Sequence, residues 1–285
     1  MNRILITYSC FNPSTTLLES IQSVYDYLDV SSFSSYKIVC IDNDSSITTT
    51  YDKVEEKYPE VEIIYAKNKN YEWGAYKYSY ENYSNYDTYV CLQDTVIFRK
   101  PFKLSLNDDS VYMIYHNGGF QLLGRPELGT LEDIRDHRLL KNINLDIDTF
   151  LHEDFNIAQH NSFIITKNGI EKLYNTLINP AINKIDAELY ERLFGLYFIQ
   201  THKPINLLPF IEKINRDKRS YTMKLIENDS DPKNDWGTIT SNRFKVKSKT
   251  NPRVWIEDNF YEDPDKVREY ALGQMYWDKG HGGVG

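Results

Sequence analysis

Carboxylates and amides stand directly after two short apolar runs, where side chains of these types could hold a ligand. The triplet Asp42–Asp44 follows the run Tyr36–Ile41, and the pair Gln93–Asp94 follows the run Thr88–Leu92. Carboxylate and amide oxygens accept hydrogen bonds from a ribose or a base, and they coordinate Mg²⁺ or Mn²⁺ beside phosphates. These residues predict a site for a nucleotide diphosphate and a cation, provided that the two run ends meet.

The apolar runs alternate with amphipathic segments, and this alternation decides where the run ends lie. Between predicted helices, the predicted strands are Arg3–Ser9, Tyr36–Ile41, Val61–Ala66 and Thr88–Leu92. Short apolar strands that alternate with helices predict an α/β fold with a mostly parallel sheet and helices on both faces. The carboxyl ends of parallel strands meet at one edge, so we expect Asp42 and Asp94 to share a solvent-open pocket there.

The composition argues against several classes of protein. A formal net charge of −8 over 285 residues disfavours binding to the phosphates of nucleic acid. No apolar run approaches the roughly 20 residues of a membrane helix, so no integral membrane segment is expected. Cys10, Cys40 and Cys91 lie in apolar runs and match no zinc-site spacing, which predicts buried, reduced thiols. Reduced thiols indicate a cytoplasmic-type compartment, so we expect a cytoplasmic protein, and the N-terminus has the pattern of a strand rather than of a secretory signal.

The composition changes near residue 229, which predicts a domain boundary. Residues 229–251 are polar and poor in apolar side chains, as is typical of a linker. They separate a large domain, residues 1–228, from a shorter segment, residues 252–285, in which the spacing predicts a strand followed by a helix. We therefore expect one α/β domain and a small α+β fragment of a second domain.

Four segments occur in an order that resembles a known enzyme family. A first strand, then IDNDSS at residues 41–46, NKNYEWGA at 68–75 and LQDT at 92–95 resemble the nucleotide-sugar half of GT-A-type glycosyltransferases, especially the family 2 group. The resemblance is detailed over residues 3–100 and looser as far as residue 210. It implies a GT-A-like sheet and a reaction that moves a sugar from a nucleotide-diphosphate-sugar donor to a hydroxyl acceptor such as a glycan.

The resemblance also assigns roles to individual residues. Asp42 would contact the nucleobase, and Asp94 would face a metal ion or the diphosphate. The cation would be Mn²⁺ or Mg²⁺, with His202 as a further ligand. Gln93 stands where the family has its first acidic residue, and one carboxylate holds a cation less firmly than two. The full set of expected donor-binding residues is Tyr8, Ser9, Asp42, Asn43, Asp44, Asn70, Glu72, Gly74, Gln93 and Asp94.

Sugar transfer also requires a base that takes the proton of the acceptor hydroxyl. Inverting members of the family supply an Asp or Glu from a later segment, and the acidic stretch IDAELYER lies at a comparable place here. Asp186 is the expected base, with Glu188 and Glu191 as the next choices, although acids are also ordinary in a first helical turn. Asp154 competes with them, and it lies in residues 142–161, where the lack of periodicity predicts a loop.

A second resemblance lies near the C-terminus. The segment VWIEDNFYEDPDKVREYAL, residues 254–272, is similar to the opening of some 2-oxoglutarate/Fe(II) oxygenase domains. Those domains bind iron through an H-x-D pair and a distal His. His281 alone follows the segment here, so no iron site can be assembled, and residues 252–285 are interpreted as a truncated fragment.

Three alternatives remain open at the level of sequence. The chain could be a non-catalytic nucleotide- or carbohydrate-binding module, or the glycosyltransferase part of a bifunctional protein with a truncated oxygenase. A nucleotidyltransferase would share the sheet, but it usually carries a glycine-rich, basic loop after its first strand. This chain has SCFNPSTT there, with neither a glycine nor a basic residue.

Overall fold

The computed structural model describes residues 2–120 and 130–214, together with the backbone of three strands between residues 234 and 257. The strands are β1 (Arg3–Cys10), β2 (Leu28–Asp29), β3 (Ser35–Asp42), β4 (Glu62–Ile64), β5 (Thr88–Gln93), β6 (Val96–Phe98), β7 (Phe102–Lys103), β8 (Ser110–Asn117), β9 (Asn156–Thr166), β10 (Lys203–Asn206), β11 (Ile211–Lys213), β12 (Asn234–Thr240), β13 (Arg243–Ser248) and β14 (Val254–Glu257). The helices are α1 (Thr16–Tyr27), α2 (Thr49–Lys57), α3 (Tyr71–Asn82), α4 (Leu131–Arg135), α5 (Ile147–Phe150), α6 (Lys167–Thr176) and α7 (Lys184–Thr201), with a 3-10 helix at Arg138–Leu140. Among the described residues, no helix is both long enough and apolar enough to cross a membrane.

A seven-stranded sheet in the order β10-β8-β9-β5-β1-β3-β4 organises the larger part of the chain. β4, β3, β1 and β5 are parallel neighbours, and β10 is parallel to β8. β9 runs antiparallel to both of its neighbours, β5 and β8. The predicted α/β fold with a mostly parallel sheet is therefore confirmed.

The order of the strands reverses at β1. The chain places β3 and β4 on one side of β1 and then crosses to β5 on the other side. The connections that leave β1 and β5 run in opposite directions, and α/β sheets bind ligands in the crevice that such a reversal opens beyond the strand ends. Ser9 and Gln93 are paired at this crevice.

Apolar side chains cover both faces of the sheet, because successive residues of a strand point to opposite sides. On one face, here called the α7 face, Leu5 and Cys91 pack with α3, α6 and α7. On the other, the α1 face, Ile6 and Leu92 pack with α1 and α2. A sheet that is buried on both sides explains why its strands are continuous apolar runs rather than alternating ones.

A glycine allows α7 to lie very close to the sheet. A Cβ atom at Gly195 would lie 2.6 Å from the carbonyl oxygen of Asn156 and 2.6 Å from the Cα of Ile157. Real side chains do not tolerate such contacts, so a larger residue would push the helix away from β9. This close approach positions the acidic first half of α7 beside the crevice.

β9 bulges where it passes the end of β5. The residues paired with Met113 and Tyr115 of β8 are Phe163 and Ala158, five positions apart on β9 against two on β8. The extra residues include His160 (φ 60°), which has a left-handed backbone conformation. Bulges of this kind are common next to functional sites, because they redirect side chains at the end of a neighbouring strand.

The structure finds regular elements in two segments that the sequence predicts to be irregular. Residues 142–161 were expected to form a loop, yet they contain α5 and the first half of β9; the polar bulge of β9 conceals the strand's periodicity. Residues 229–251, predicted to be a linker, contain β12 and β13, which pair with each other, and β14 pairs with β13. The sequence of β13, RFKVKS, alternates charged and apolar residues, a period-two pattern that average composition hides.

β14 confirms the strand predicted at the start of the C-terminal segment. The helix predicted after it, and His281, lie outside the described residues.

Candidate functional site

Asp42 and Asp94 reach the same edge of the sheet, but the pocket predicted around them is closed. Cys10, the last residue of β1, is paired with Asp42, and the N–H of Asp94 donates to the Ser9 carbonyl at 3.3 Å. Both acids are near Cys10: burial and the neighbouring Cys40 thiol raise the pKa of the Cys10 thiol most, and the charges of Asp94 and Asp42 add to the rise. Each acid is only 4% exposed. The expectation of a shared solvent-open pocket is corrected: the two acids converge beneath the edge, on the α1 face.

Asp42 has a structural role at the end of β3. Its Oδ1 accepts a hydrogen bond from the Tyr51 hydroxyl at 2.7 Å, and its Oδ2 accepts one from the backbone N–H of Ser45 at 3.0 Å. These bonds tie the turn after β3 to α2. Burial, together with the neighbouring Cys10 and Asp42 charges, raises the pKa of Tyr51.

Polar side chains on the α7 face connect the ends of β1 and β3 to the segment before α3. The Asn43 amide donates to Oγ of Ser9 at 2.7 Å, and the Asn68 amide donates to Oδ1 of Asn43 at 2.5 Å. Oδ1 of Asn68 in turn accepts from the backbone N–H of Asn70 at 2.9 Å. This amide chain brings three of the expected donor-binding residues together, namely Ser9, Asn43 and Asn70.

Gly74 is required by the same arrangement. A Cβ atom there would lie 2.1 Å from Oδ1 of Asn68 and 2.7 Å from Cβ of Asn70. Packing alone therefore explains why this position is a glycine, since the first turn of α3 lies directly against the amide chain. Its role in donor binding stays a prediction.

Gln93 links two charged groups at the end of β5. Its Nε2 donates to Oε1 of Glu72 at 2.6 Å, and its Oε1 accepts a hydrogen bond from the ammonium group of Lys213. Lys213 reaches this point because β11 pairs with β6, and because the N–H of Ile214 donates to the Thr95 carbonyl at 2.9 Å. An amide between a carboxylate and an ammonium has both of its ends fixed.

Glu191 lies on α7 next to this group, and we call Glu72, Gln93, Glu191 and Lys213 together the crevice cluster. The Glu191 side chain is 20% exposed, and its Oε2 lies 3.6 Å from Nη1 of Arg192. Burial raises the pKa of Glu191, and the charge of Glu72 adds to the rise, while Arg192 and the His160 N–H oppose it. A partly accessible carboxyl group with a raised pKa is suited to accept a proton.

The bulge of β9 contacts the crevice cluster from the side of the sheet. The His160 N–H donates to Oε1 of Glu191 at 2.9 Å, and the Asn161 amide donates to the Ala187 carbonyl at 3.1 Å. Oγ of Ser162 accepts from the N–H of Gln93 at 3.3 Å. The bulge thus contacts both α7 and the end of β5.

Asp186, the expected base, lies elsewhere on α7 and is fully buried. Its Oδ2 accepts hydrogen bonds from the Arg138 guanidinium and, at 2.8 Å, from the Ile182 N–H. Its Oδ1 lies 3.4 Å from Nε2 of His137. Solvent and substrates cannot reach this carboxylate, so the expectation that Asp186 lies open to an acceptor is corrected.

The two remaining candidate bases, Glu188 and Asp154, differ in their exposure. Glu188 is partly buried one turn from Arg192 on α7; burial lowers the pKa of Arg192, and the charges of Glu191 and Glu188 oppose this fall. Asp154 is exposed just before β9.

Two expected donor-binding residues are also placed away from the crevice cluster. Tyr8 is fully buried on the α1 face, where its hydroxyl donates to the Ser20 carbonyl at 2.8 Å. Asp44 is half exposed, 3.6 Å from the Lys69 ammonium.

The predicted metal ligands do not come together. His202 immediately precedes β10, whose first residue pairs with Ser110 at the start of β8, whereas Asp94 follows the last residue of β5. β5 and β8 run in the same direction, and a six-residue strand spans about 20 Å, so the two side chains lie at opposite edges of the sheet. Burial and the nearby Lys172 lower the pKa of His202.

The donor set at the crevice does not fit the implied divalent cation. Within residues 2–120 and 130–214, no group of three or more His, Cys, Asp and Glu side chains could hold a metal ion. Gln93, the only neutral member of the crevice cluster, directs its amide oxygen at the Lys213 ammonium. A cation that replaced this contact would meet the repulsion of a neighbouring positive charge.

Two cavities of the described residues lie away from the crevice. One, of about 370 Å³, is lined by residues that include Gln22 and Phe98, and the other, of about 450 Å³, lies at the amino edge beside Tyr36 and Tyr86. Neither contains a member of the crevice cluster. The chemistry of the side chains therefore points to the crevice rather than to these cavities.

Sequence reasoning missed His160, Ser162 and Lys213. Lys213 lies 120 residues from Gln93, and only the pairing of two short strands brings them together. His160 lies in a stretch without periodicity, and the sequence there carries no local signal of the bulge. Asn68 is present in the NKNYEWGA motif and could have been chosen with Asn70.

No protein-family model matches the chain, and no curated protein matches it by sequence.

Proposed function

We propose that this chain is a GT-A-like glycosyltransferase that moves a sugar from a nucleotide-diphosphate-sugar donor to a hydroxyl acceptor such as a glycan. The observation that carries the proposal is the position of Glu191. A carboxyl group with a raised pKa lies beside Glu72 and Gln93, at the point where the strand order of the sheet reverses. α/β sheets bind small molecules at such points, and a raised pKa is a frequent property of general bases.

In this proposal the reaction is divided among the residues at the crevice. Glu191 takes the proton of the acceptor hydroxyl while that oxygen attacks the anomeric carbon of the donor sugar. The bond between that carbon and the diphosphate breaks, and the nucleoside diphosphate leaves with the electron pair. Gln93 and Glu72 position the donor, and the side-chain amides of Asn43 and Asn68 offer neutral hydrogen-bonding groups to the nucleoside.

A second candidate function is supported by the burial of Asp42 and Asp94. These acids carry the strongest part of the family resemblance. Each is only 4% exposed, so their side chains contact the protein interior and not a ligand. A module that binds a nucleotide or a carbohydrate without turning it over would need neither acid. Turnover separates the two functions.

The proposed location is the cytoplasm. Cys10, Cys40 and Cys91 are free and buried. Reduced structural thiols are typical of proteins in a reducing compartment.

The test is the release of nucleoside diphosphate from UDP-, GDP- and dTDP-sugars by the full chain, with and without a panel of hydroxyl acceptors. We expect acceptor-dependent release from at least one donor. Glu191→Gln should reduce the rate by about 100-fold or more, since a positioned base commonly contributes that much. Saturable binding of a nucleotide sugar without any turnover would instead establish the binding module.

The matched control is Glu171→Gln, which makes the same chemical change at an exposed position of α6. Its rate should equal that of the unchanged protein. If Glu191→Gln remains folded and fully active, the proposed mechanism is wrong.

A further inference from the structure

We propose that the Lys213 ammonium binds the diphosphate of the donor, in the place where the family resemblance implies a divalent cation. This inference rests on the proposed function, and it concerns the same site. It assigns the role of a counterion to a residue of the chain itself.

The position of Lys213 is fixed by backbone hydrogen bonds rather than by its flexible side chain. β11 pairs antiparallel with β6, with Lys213 opposite Val96, and the N–H of Ile214 donates to the Thr95 carbonyl at 2.9 Å. Thr95 follows Gln93 and Asp94 directly. The lysine is therefore held beside the turn at which a diphosphate of the donor would lie.

The orientation of Gln93 indicates which charge this turn is built to receive. The amide oxygen of Gln93 accepts from Lys213, and its amide nitrogen donates to Glu72. Positive charge thus lies on one side of Gln93 and negative charge on the other. A phosphate oxygen can approach the ammonium on its own side, while Glu72 and Glu191 leave the other side to the hydroxyl groups of sugar and acceptor.

The chemistry of the residues also favours a lysine over a metal ion here. Gln93 replaces the acid that the resemblance places before Asp94, and Asp94 itself is 4% exposed. An ammonium group requires no carboxylate ligands, and lysine is a common partner of phosphate groups. The neutral amide of Gln93 and the ammonium group of Lys213 can together take the place of the two carboxylates and the divalent cation that the resemblance implies.

The test is calorimetric titration of the full chain with UDP, GDP and dTDP and with the corresponding nucleosides, at fixed ionic strength. One series contains EDTA, and the other contains Mn²⁺ or Mg²⁺. We expect at least one diphosphate to bind equally well in both series. Lys213→Met removes the charged group and keeps an unbranched side chain only one atom shorter. It should weaken the binding of that diphosphate by about tenfold or more and leave the binding of the nucleoside unchanged.

Two further variants control for folding and for net charge. Lys213→Arg should retain most of the affinity, because it keeps the positive charge. Lys53→Met removes an exposed charge from α2 and should leave the affinity unchanged. Thermal melting of each variant establishes that it is folded before it is titrated.

The outcomes separate the two proposals. Diphosphate binding that requires Mn²⁺ or Mg²⁺ and is unaffected by Lys213→Met overturns this inference and leaves the proposed function standing. Failure of every diphosphate to bind the folded protein, together with no turnover of any nucleotide sugar, overturns both.

Discussion

The backbone N–H of His160 donates a hydrogen bond of 2.9 Å to Oε1 of Glu191. The donor belongs to the bulge of β9, and the acceptor belongs to α7, which lies against that strand at Gly195. One carboxylate oxygen is thereby fixed by the main chain, while Oε2 faces Arg192 at 3.6 Å. In the proposed function, a base held in this way keeps its orientation before a substrate arrives, which lowers the cost of positioning it.

The raised pKa of Glu191 predicts an unusual effect on stability. The pKa of Glu191 is higher in the folded protein than in the unfolded chain. The free energy of unfolding therefore falls as the pH rises from the unfolded pKa to the folded pKa. Glu191→Gln removes this cost, so we expect the variant to be more stable than the unchanged protein at pH 7. The difference should vanish below the ordinary carboxyl pKa of about 4.3. Denaturant unfolding at a series of pH values measures it.

Glu171→Gln again serves as the control, and its unfolding free energy should change little at any pH. A Glu191→Gln variant that is less stable than the unchanged protein by the same amount at every pH would contradict this account.

Asp186 is predicted to stabilise the fold and not to take part in turnover. Asp186→Asn removes the buried negative charge that pairs with Arg138, and we expect a loss of about 2 kcal/mol in the free energy of unfolding. The rate per folded molecule should be unchanged. Asp148→Asn is the control: it removes the partner of Arg135 at an exposed site, where an ion pair contributes about 1 kcal/mol or less. Abolished turnover in a folded Asp186→Asn variant would return the role of base to Asp186.

Gly74 and Asn68 are predicted to be energetically coupled. Gly74→Ala places a methyl group against Oδ1 of Asn68 and should cost about 1–3 kcal/mol of stability. In an Asn68→Ala background the clash with that oxygen is gone, so the same change should cost distinctly less. The unfolding free energies of both single variants and of the double variant complete the cycle. Additive costs would show that the two residues do not interact as described.

The cysteines are predicted to be unreactive in the native protein. Burial raises the pKa of the Cys10 and Cys91 thiols, so little of the reactive thiolate forms at neutral pH. A thiol-specific disulfide reagent should label almost no Cys in the folded chain and all 3 in guanidinium chloride. Rapid labelling of the native protein would show that a thiol is accessible.

The first half of the fold follows from the sequence because its strands and helices alternate at short range. Each apolar run between Arg3 and Leu92 predicts a strand, and the polar residues after it predict the edge at which Asp42 and Asp94 lie. The face is harder to predict, because both sides of the sheet are buried and the strands show no alternation. The structure shows that these acids point to the α1 face, whereas Gln93 and Asn43 point to the α7 face.

The rest of the site depends on contacts between distant segments. Lys213 meets Gln93 through a two-strand pairing, and His160 meets Glu191 through a bulge; neither contact has a local signature. Spacing alone does not distinguish Asp186 from Glu191, since both acids lie on one helix. Which of two acids on a helix is buried depends on the partner, here Arg138, that another segment supplies.

β9 continues well past the point where β5 ends, and over Asn156–Ala158 it is paired with β8. One flank of the crevice is consequently a piece of hydrogen-bonded ladder instead of a loop. Residues cannot be inserted into a ladder without displacing the register of both strands, so the dimensions of this flank are set by the sheet. In the proposed function, changes in the size of the donor or acceptor should therefore come from the opposite flank, where the connections after β3 and β4 can vary in length at small energetic cost.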